Sequence, residues 1–341
     1  MKTERAQMRR TTTDDGAFGS TSNTFPSVAR RVTSVLISNG VWAALGTLVV
    51  VLSVFSESFR TFGNLQNILT QNAVIGIVAC GMLVMMISGG FDLSVGAVGA
   101  AASVGAAYIS SSTGNLPLGI LSALTVGLIV GVGNGLIITR GGINPFITTF
   151  AMASVVSGIL FVLTDAKSQT AQADWLSNIA FSYVANVPLA FMAFLVVAIV
   201  THLLLTRTKW GHWLYSVGAN ASASYLSGVP VAATRVAAFA FGGITAALGA
   251  LLLLGQTNIG QPTAAADWPL NAIAICIIGG TSLSGGIGRV GHTVAATLLL
   301  GVVANGLNQL AVSPYWQPAV TGFIILIAVG VEGFIRRRGG A

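Results

Sequence analysis

From residue 39 onward the chain is a succession of continuous apolar runs, each about as long as a lipid bilayer is thick when wound into a helix. At a rise of about 1.5 Å per residue, about 20 apolar residues cross about 30 Å of hydrocarbon. Backbone groups inside lipid must satisfy one another, which leaves only helices or closed barrels. These runs do not alternate with polar residues, so they read as helices. Spans fall near 39–56, 72–89, 95–112, 117–138, 145–164, 187–205, 236–254, 269–286, 291–310 and 317–335, an all-α polytopic bundle of ten crossings. Only 7% of the residues are charged, against roughly 25% in a soluble domain. That excludes a soluble enzyme, and the apolar bias excludes a disordered chain.

The distribution of charge supplies the orientation. Residues 1–38 carry Lys2, Glu4, Arg5, Arg9, Arg10, Asp14, Asp15, Arg30 and Arg31, with no apolar core of a signal peptide, and read as a flexible basic cytoplasmic tail. A transmembrane domain at 39–335 follows, then a basic end at 336–341 with Arg336, Arg337 and Arg338. An even number of spans puts both termini on one side. Fourteen of the sixteen Lys and Arg residues then share that side, among them Arg140, Arg207, Lys209, Arg235 and Arg289. Only Arg60 and Lys167 lie opposite, beside Asp165, Asp174 and Asp267. Basic residues collect on the cytoplasmic face of membrane proteins. The net charge of +7 is therefore a topological signature, and no nucleic-acid partner is expected.

Small residues such as Gly96, Gly99, Ala100 to Ala102, Gly127, Gly131, Gly133 and Gly135 imply close helix packing. The stretch 86–112 admits a continuous helix or one broken at its glycines and Asp92. It also takes part in an internal echo: Ile87-Ser-Gly-Gly-Phe-Asp-Leu-Ser-Val-Gly96 matches Ile277-Ile-Gly-Gly-Thr-Ser-Leu-Ser-Gly-Gly286 at six of ten positions. Asn134-Gly-Leu is repeated at Asn305-Gly-Leu with a different offset. Glycine-interrupted repeats often bracket a solute pathway.

Neither a phosphate-binding loop nor a dinucleotide fingerprint is present. Cys80 and Cys276 lie in apolar runs, and His202, His212 and His292 lack metal-ligand spacing, so no metal site, cofactor or catalysis is expected on this chain. Asp92 is the only carboxylate closely flanked by apolar runs on both sides, and Glu332 sits at a span's end. Ion-driven carriers need intramembrane charge. Energy for uphill movement would therefore enter from another subunit. Asn72, Thr148, Thr149, Asn271, Thr281, Ser282, Asn305 and Gln309 either line a path for an uncharged, hydroxyl-rich solute or join helix to helix. With Asp92, Ser94, Asn134 and Phe146, the first of these make up the candidate path or helix-break positions: Asn72, Thr148, Asn271, Thr281, Ser282 and Asn305.

The stretch 207–235 is long for a helix connection. Trp210, Trp213 and Tyr215 precede a short Ala/Ser helix bracketed by Gly218 and Gly228, which reads as a folded docking element or as an amphipathic anchor lying on the membrane surface.

Gly90-Phe-Asp-Leu-Ser-Val-Gly96, Asn144-Pro-Phe-Ile-Thr-Thr149, the 210–230 loop, Gly279-Gly-Thr-Ser-Leu-Ser-Gly-Gly286 and Tyr315-Trp-Gln-Pro318 together resemble motifs of the permease subunits of ribose-type monosaccharide ABC importers. The resemblance implies a permease of the bacterial inner membrane, paired with a second permease copy in a homodimer or heterodimer. It implies an ATPase with two nucleotide-binding domains, which would hold the ATP and Mg, and a periplasmic sugar-binding protein. Coupling to the ATPase would fall on Gly211, Gly218, Asn220, Ala221, Ala223, Leu226, Ser227 and Gly228. His212 and Tyr225 stand where that family commonly has arginine, and Ala219 where it has glycine. Asp92 matches the acidic residue of the family's Asp-Leu-Ser motif, where it would cap a broken helix or bond sugar hydroxyls. The solute implied is a pentose or hexose. A nucleoside, a sugar-like signal and a stand-alone sugar facilitator are the alternatives, while scarce buried charge argues against amino acids.

Overall fold

The computed structural model describes residues 40–172 and 174–316, together with residues 319, 320, 322, 323, 326 and 330. The expected tail at 1–38, the span at 317–335 and the basic end at 336–341 lie outside the described residues or almost wholly so.

Helices α1 (Gly40–Phe55), α2 (Phe62–Ile87), α3 (Val95–Thr113), α4 (Leu116–Arg140) and α5 (Pro145–Thr164) come first. A short helix α6 (Asp174–Phe181) precedes α7 (Leu189–Arg207), α8 (Lys209–Ala219), α9 (Ala221–Leu226) and α10 (Val231–Thr257). The chain continues through α11 (Trp268–Ile278) and α12 (Val290–Gln309). Seven of these (α2, α3, α4, α5, α7, α10 and α12) are long and apolar enough to cross a membrane, and α1 and α11 are shorter apolar helices. Polar caps set several boundaries. Thr61, Asn115 and Asn144 accept from the N–H groups of Asn64, Leu118 and Phe146, and Pro117 and Pro145 stand in first turns where no N–H is missed.

The core lies between α2 and α10, the helices with the longest buried stretches. Close approach is made by glycine rather than by large interlocking side chains. Gly127, Gly131 and Gly135, one turn apart on α4, lie against Gly243, Phe239 and Val236 of α10, where any Cβ would strike backbone. Gly133 faces away from that seam toward Met152. The spacing of four is therefore a packing device, as the small residues suggested.

Contacts separate two ends of the bundle. At one end Gln169–Thr170 pairs antiparallel with Ile259–Gly260, and a hairpin joins Tyr183–Val184 to Val187–Pro188. There α6 rests on α10, with the Leu176 carbonyl against Gly255. Neither α6 nor these short pairings was expected from the sequence. Leu176 and Ala180, one turn apart, are its only buried residues. Both cations expected at this end have an acidic neighbour, Arg60 with Glu57 at 3.8 Å and Lys167 with Asp165 at 3.7 Å. At the opposite end lie α8, α9 and the breaks after α2 and α11.

Three boundaries differ from the sequence reading, and one that it left open takes a definite form. Helix α2 begins ten residues before 72, because polar residues such as Asn64 find partners inside the bundle. Helix α10 starts at Val231 rather than 236, so Arg235 belongs to the helix and not to the loop. Of the two forms open to the stretch 86–112, the broken one is observed, with helix ending at Ile87 and resuming at Val95. The eighth span, expected at 269–286, is helical only to Ile278, where Gly280 turns the chain with φ 76°.

Candidate functional site

The two echoed segments form matching helix ends. Gly89 and Gly280 both have positive φ, 89° and 76°. The N–H of Gly89 donates to Met86 O (3.0 Å) and that of Gly90 to Met85 O (3.2 Å). Gly280 and Thr281 repeat this pattern to Ile277 O (2.8 Å) and Cys276 O (2.9 Å). Both are helix stops that use a left-handed residue to satisfy terminal carbonyls. The structural pairing of Gly89 with Gly280 is one residue out of step with the sequence echo, which aligns Gly89 with Gly279. Beyond the stops the echo returns to register. Ser94 N–H donates to Asp92 Oδ1 (2.6 Å), and Ser284 N–H to Ser282 Oγ (3.2 Å). The second echo does not mark equivalent places. Asn134 bonds Asp92 at the α8 end of the bundle, whereas Asn305 bonds Asn64 near the start of α2, at the other end.

Asp92 is buried, and its carboxylate is fully engaged. Oδ1 accepts from both the N–H and the Oγ–H of Ser94 (each 2.6 Å), and Oδ2 accepts from Asn134 Nδ2 (3.1 Å), which also donates to Ser94 Oγ (2.9 Å). The carboxylate thus closes the turn just ahead of α3 and ties it to α4.

The stretch after α7 supplies a third partner to both breaks. Thr208 caps α8 through Gly211 N–H (3.1 Å), and Gly211 fits beneath the carbonyls of Leu204 and Leu205. Seven residues later Gly218 sits where a Cβ would collide with the Ile87 carbonyl oxygen and with Gly286 N. Gly285 and Gly286, both at positive φ, lie within 2.9 Å of Gly218 O and of Ala219, measured from the Cβ each lacks. Gly286 N–H donates to Ile87 O at 2.9 Å. The end of α2, the second break and the end of α8 therefore meet backbone to backbone. Two side chains brace this junction: Arg235 Nε donates to Ser88 O (3.3 Å) and Tyr215 Oη to Gly288 O (2.9 Å). Burial pushes the Tyr215 phenol up, Arg289 offsets part of that, and the group stays a neutral donor.

The expected coupling residues divide by direction. Gly211 and Gly218 face inward. Asn220 caps α9 through Ala223 N–H (2.9 Å), Ser227 Oγ bonds Ala223 O (3.0 Å), and Gly228 ends the turn at φ 83°. Ala221 is half-buried, Ala223 is exposed, and the tip presents Tyr225 and Leu226 at 71% and 86% exposure.

Among the expected path positions, Asn72 and Asn271 come together. They line a cavity of about 550 Å³ between α2, α10, α11 and α12, with Gln71, Gln256, Asp267 and Trp268. The absence of a side chain at Gly301 makes room for the Asn72 amide. The other positions lie elsewhere. Asn305 forms a reciprocal amide pair with Asn64 (2.7 and 3.0 Å) that Gln309 joins at 3.0 Å, which is helix-to-helix bonding. Phe146 is 50% exposed between Phe91 and Phe150. Thr148 and Thr281 are buried with hydroxyls that make no hydrogen bond among the described residues. Thr149 bonds back to Pro145 O (2.8 Å). Gly89, Gly285 and Gly286 were legible only as members of the quoted motifs and Tyr215 only as part of the stretch ahead of Gly218, none of them with a role assigned, and nothing in the sequence singled out Gln256.

Residues 64–329 match the family described as branched-chain amino acid transport system / permease component. Ribose import permease protein RbsC of Bacillus subtilis is 36% identical over 295 residues, covering 85% of this chain and 91% of its own. L-arabinose transport system permease protein AraH of Escherichia coli is 33% identical over 290 residues, 85% of this chain and 88% of its own. Ribose import permease protein RbsC of Escherichia coli is 34% identical over 293 residues, with 85% and 91% coverage. No solved structure matches the chain.

Proposed function

The chain belongs to the branched-chain amino acid transport system permease component family, and from that membership we propose that it is the membrane-spanning subunit of a bacterial ABC importer for a monosaccharide. The carrying observation is that relatives named for ribose and L-arabinose align along 85% of this chain and about nine-tenths of their own. It is a multi-pass protein of the inner membrane. ATP is hydrolysed on a separate ATPase, a periplasmic binding protein delivers the sugar, and two permease copies face each other.

Ten crossings fit this role, with α1 the first, α11 and its flanking irregular segments the eighth, and residues 317–335 the last. Both termini then face the cytoplasm, on the side of Arg140, Arg207, Lys209 and Arg289. Helix α9 is the element the ATPase pushes, through Tyr225 and Leu226. Because Gly218 touches Ile87 and Gly286 directly, that push reaches both helix breaks through backbone, with little side-chain freedom to absorb it.

Import of a branched-chain amino acid is the second reading, prompted by the family's description. An amino acid's carboxylate needs a cation, and among the described residues the cavity lining includes carboxamides and Asp267 but no Lys, Arg or His. A stand-alone facilitator would have no use for a folded α8–α9 element.

The test is a tagged pull-down from gently solubilised native membranes, followed by uptake in proteoliposomes. Recovery of an ATPase with two nucleotide-binding domains, lost when residues 218–228 are replaced, together with ATP-dependent uptake of a pentose or hexose, is the expected result. Sugar flux by this chain alone, without ATP, would overturn it.

A further inference from the structure

Irregular backbone inside an apolar bundle is tolerated where it is buried in protein or borders a cavity, and this chain has such a stretch away from the two helix breaks. Gly260 lies against Val104 and the Ser103 carbonyl, yet the Ala265 carbonyl oxygen lies against Gly96, two turns further back along α3. Residues 261–267 therefore run down beside α3 into the bundle before α11 begins at Trp268. This descending stretch carries Ala264 and Asp267 to the wall of the 550 Å³ cavity. That volume falls within the range of about 300–1,000 Å³ typical of small-molecule pockets and far exceeds what an ion needs.

Three of the carboxamides there are oriented. Asn72 Nδ2 donates to Ile68 O (2.7 Å), Gln256 Nε2 to Thr70 O (3.2 Å) and Asn271 Nδ2 to Asp267 Oδ2 (2.7 Å). Each bond fixes a carboxamide by its nitrogen. The three carboxamide oxygens and Asp267 Oδ1 take no hydrogen bond among the described residues. Asp267 Oδ1 can only accept. The site is rich in acceptors, has no cationic side chain among the described residues, and is walled by Trp268 and aliphatic residues.

We infer that this cavity is a binding site within a single protomer for an uncharged polyhydroxylated solute, which is held by donating hydroxyl hydrogens to Asn72, Gln256, Asp267 and Asn271. The inference rests on the sugar-importer reading for the class of ligand, and it adds where in one chain that ligand is recognised. Trp268 and the aliphatic side chains give the oxygens an apolar wall, and the oxygens read hydroxyls rather than charge.

The experiment is equilibrium dialysis of the purified full chain in detergent, without ATPase, against radiolabelled D-ribose, L-arabinose, D-xylose, D-glucose and D-galactose. At least one should bind saturably, while leucine should not. Asn271→Leu, of similar bulk, should weaken binding about tenfold or more, the order expected when a hydrogen-bonding wall is left without its partner. Ala264→Phe, which fills the cavity from the loop and removes no polar group, should abolish it, with monodispersity in detergent checked for both. At one hydroxyl or more, a fluorodeoxy sugar, which accepts but cannot donate, should bind as weakly as the deoxy sugar. Failure of every sugar to bind wild type, or wild-type affinity in both well-folded variants, would overturn the site. The two readings separate in the assembled transporter: ATP-driven uptake with unchanged KM in both variants rejects this site and keeps the importer, whereas sugar binding without any ATP-driven uptake keeps the site and rejects the importer.

Discussion

The two helix breaks share a sequence motif and a helix stop, but they are held in different ways. At the first, residues 88–94, a buried carboxylate takes three hydrogen bonds and fastens the turn to α4. At the second, residues 279–289, a serine stands where Asp92 stands in the first, and its one turn bond is longer, 3.2 against 2.6 Å. Thr281 nearby leaves its hydroxyl unpaired among the described residues. Backbone bonds of its own close the second break, Ser282 N–H to Ile287 O (3.1 Å) and Gly285 N–H to Ser282 O (3.2 Å). Its ties to the bundle are Gly286 on the Ile87 carbonyl, Tyr215 on Gly288, and the close passage of Gly218. The first break is thus a joint pinned by its own carboxylate, with α4 as the partner. The second is a joint defined by α8, the element that reaches out to the α9 tip. A repeated motif has diverged so that one copy anchors and the other follows its neighbour.

The largest expected effect comes from forcing the shared contact apart. Gly218→Val would drive a branched side chain into the Ile87 carbonyl and Gly286, and because backbone cannot step aside, destabilisation should exceed about 3 kcal/mol. Thermal unfolding of the detergent-solubilised protein measures this, and a loss under about 1 kcal/mol would mean that α8 is not packed on both breaks. Next is Asp92→Ala, which strands Ser94 N–H and the Asn134 amide in a buried site at a cost of about 1–3 kcal/mol. Yield in the membrane should fall along with transport, and normal yield with abolished transport would shift Asp92 from joint to solute contact. Ser282→Ala should cost only about 0.5–1.5 kcal/mol, since a single turn bond is lost. If it matched Asp92→Ala, the contrast between anchored and following breaks would collapse. Smallest for stability is Leu226→Ala, within about 0.5 kcal/mol because the side chain lies outside the packed body. It should nonetheless reduce capture of the ATPase in the pull-down, and unchanged capture would move the coupling surface away from the tip.

Much of the fold was legible because membrane insertion is a local transaction. Whether a run of residues prefers hydrocarbon depends on its own side chains, so nine of the expected spans coincide with described helices, wholly or in part. The exceptions have long-range causes. Helix α2 extends back to Phe62 because Asn64 is paired with Asn305, 241 positions away. The eighth span is cut short where Gly280 turns the chain, and the segment beyond that turn packs through Gly285 and Gly286 on Gly218 and Ala219 of α8.

The candidate residues were harder to sort. Asn72, Asn271 and Asn305 are alike in the sequence: a polar amide within an apolar run, suited equally to joining helices or facing a solute. Folding gave Asn305 a reciprocal amide partner and gave Asn72 and Asn271 a shared cavity. Likewise Gly133 and Gly135 differ by two positions, yet one faces Met152 and the other the α10 seam.

Residues read in order are enough to say that this chain lives in a bilayer, that one end of its bundle is basic, that two glycine-rich segments repeat, and that a folded element intervenes between α7 and α10. Each of these follows from hydropathy, charge or local turn chemistry, which act over a few residues. That both glycine-rich segments and Gly218 converge at one point, and that residues 261–267 descend to wall a cavity, is visible only in the folded bundle. Small residues permit close approach to any neighbour, and nothing in their chemistry names which one. That choice belongs to the packing of the whole bundle.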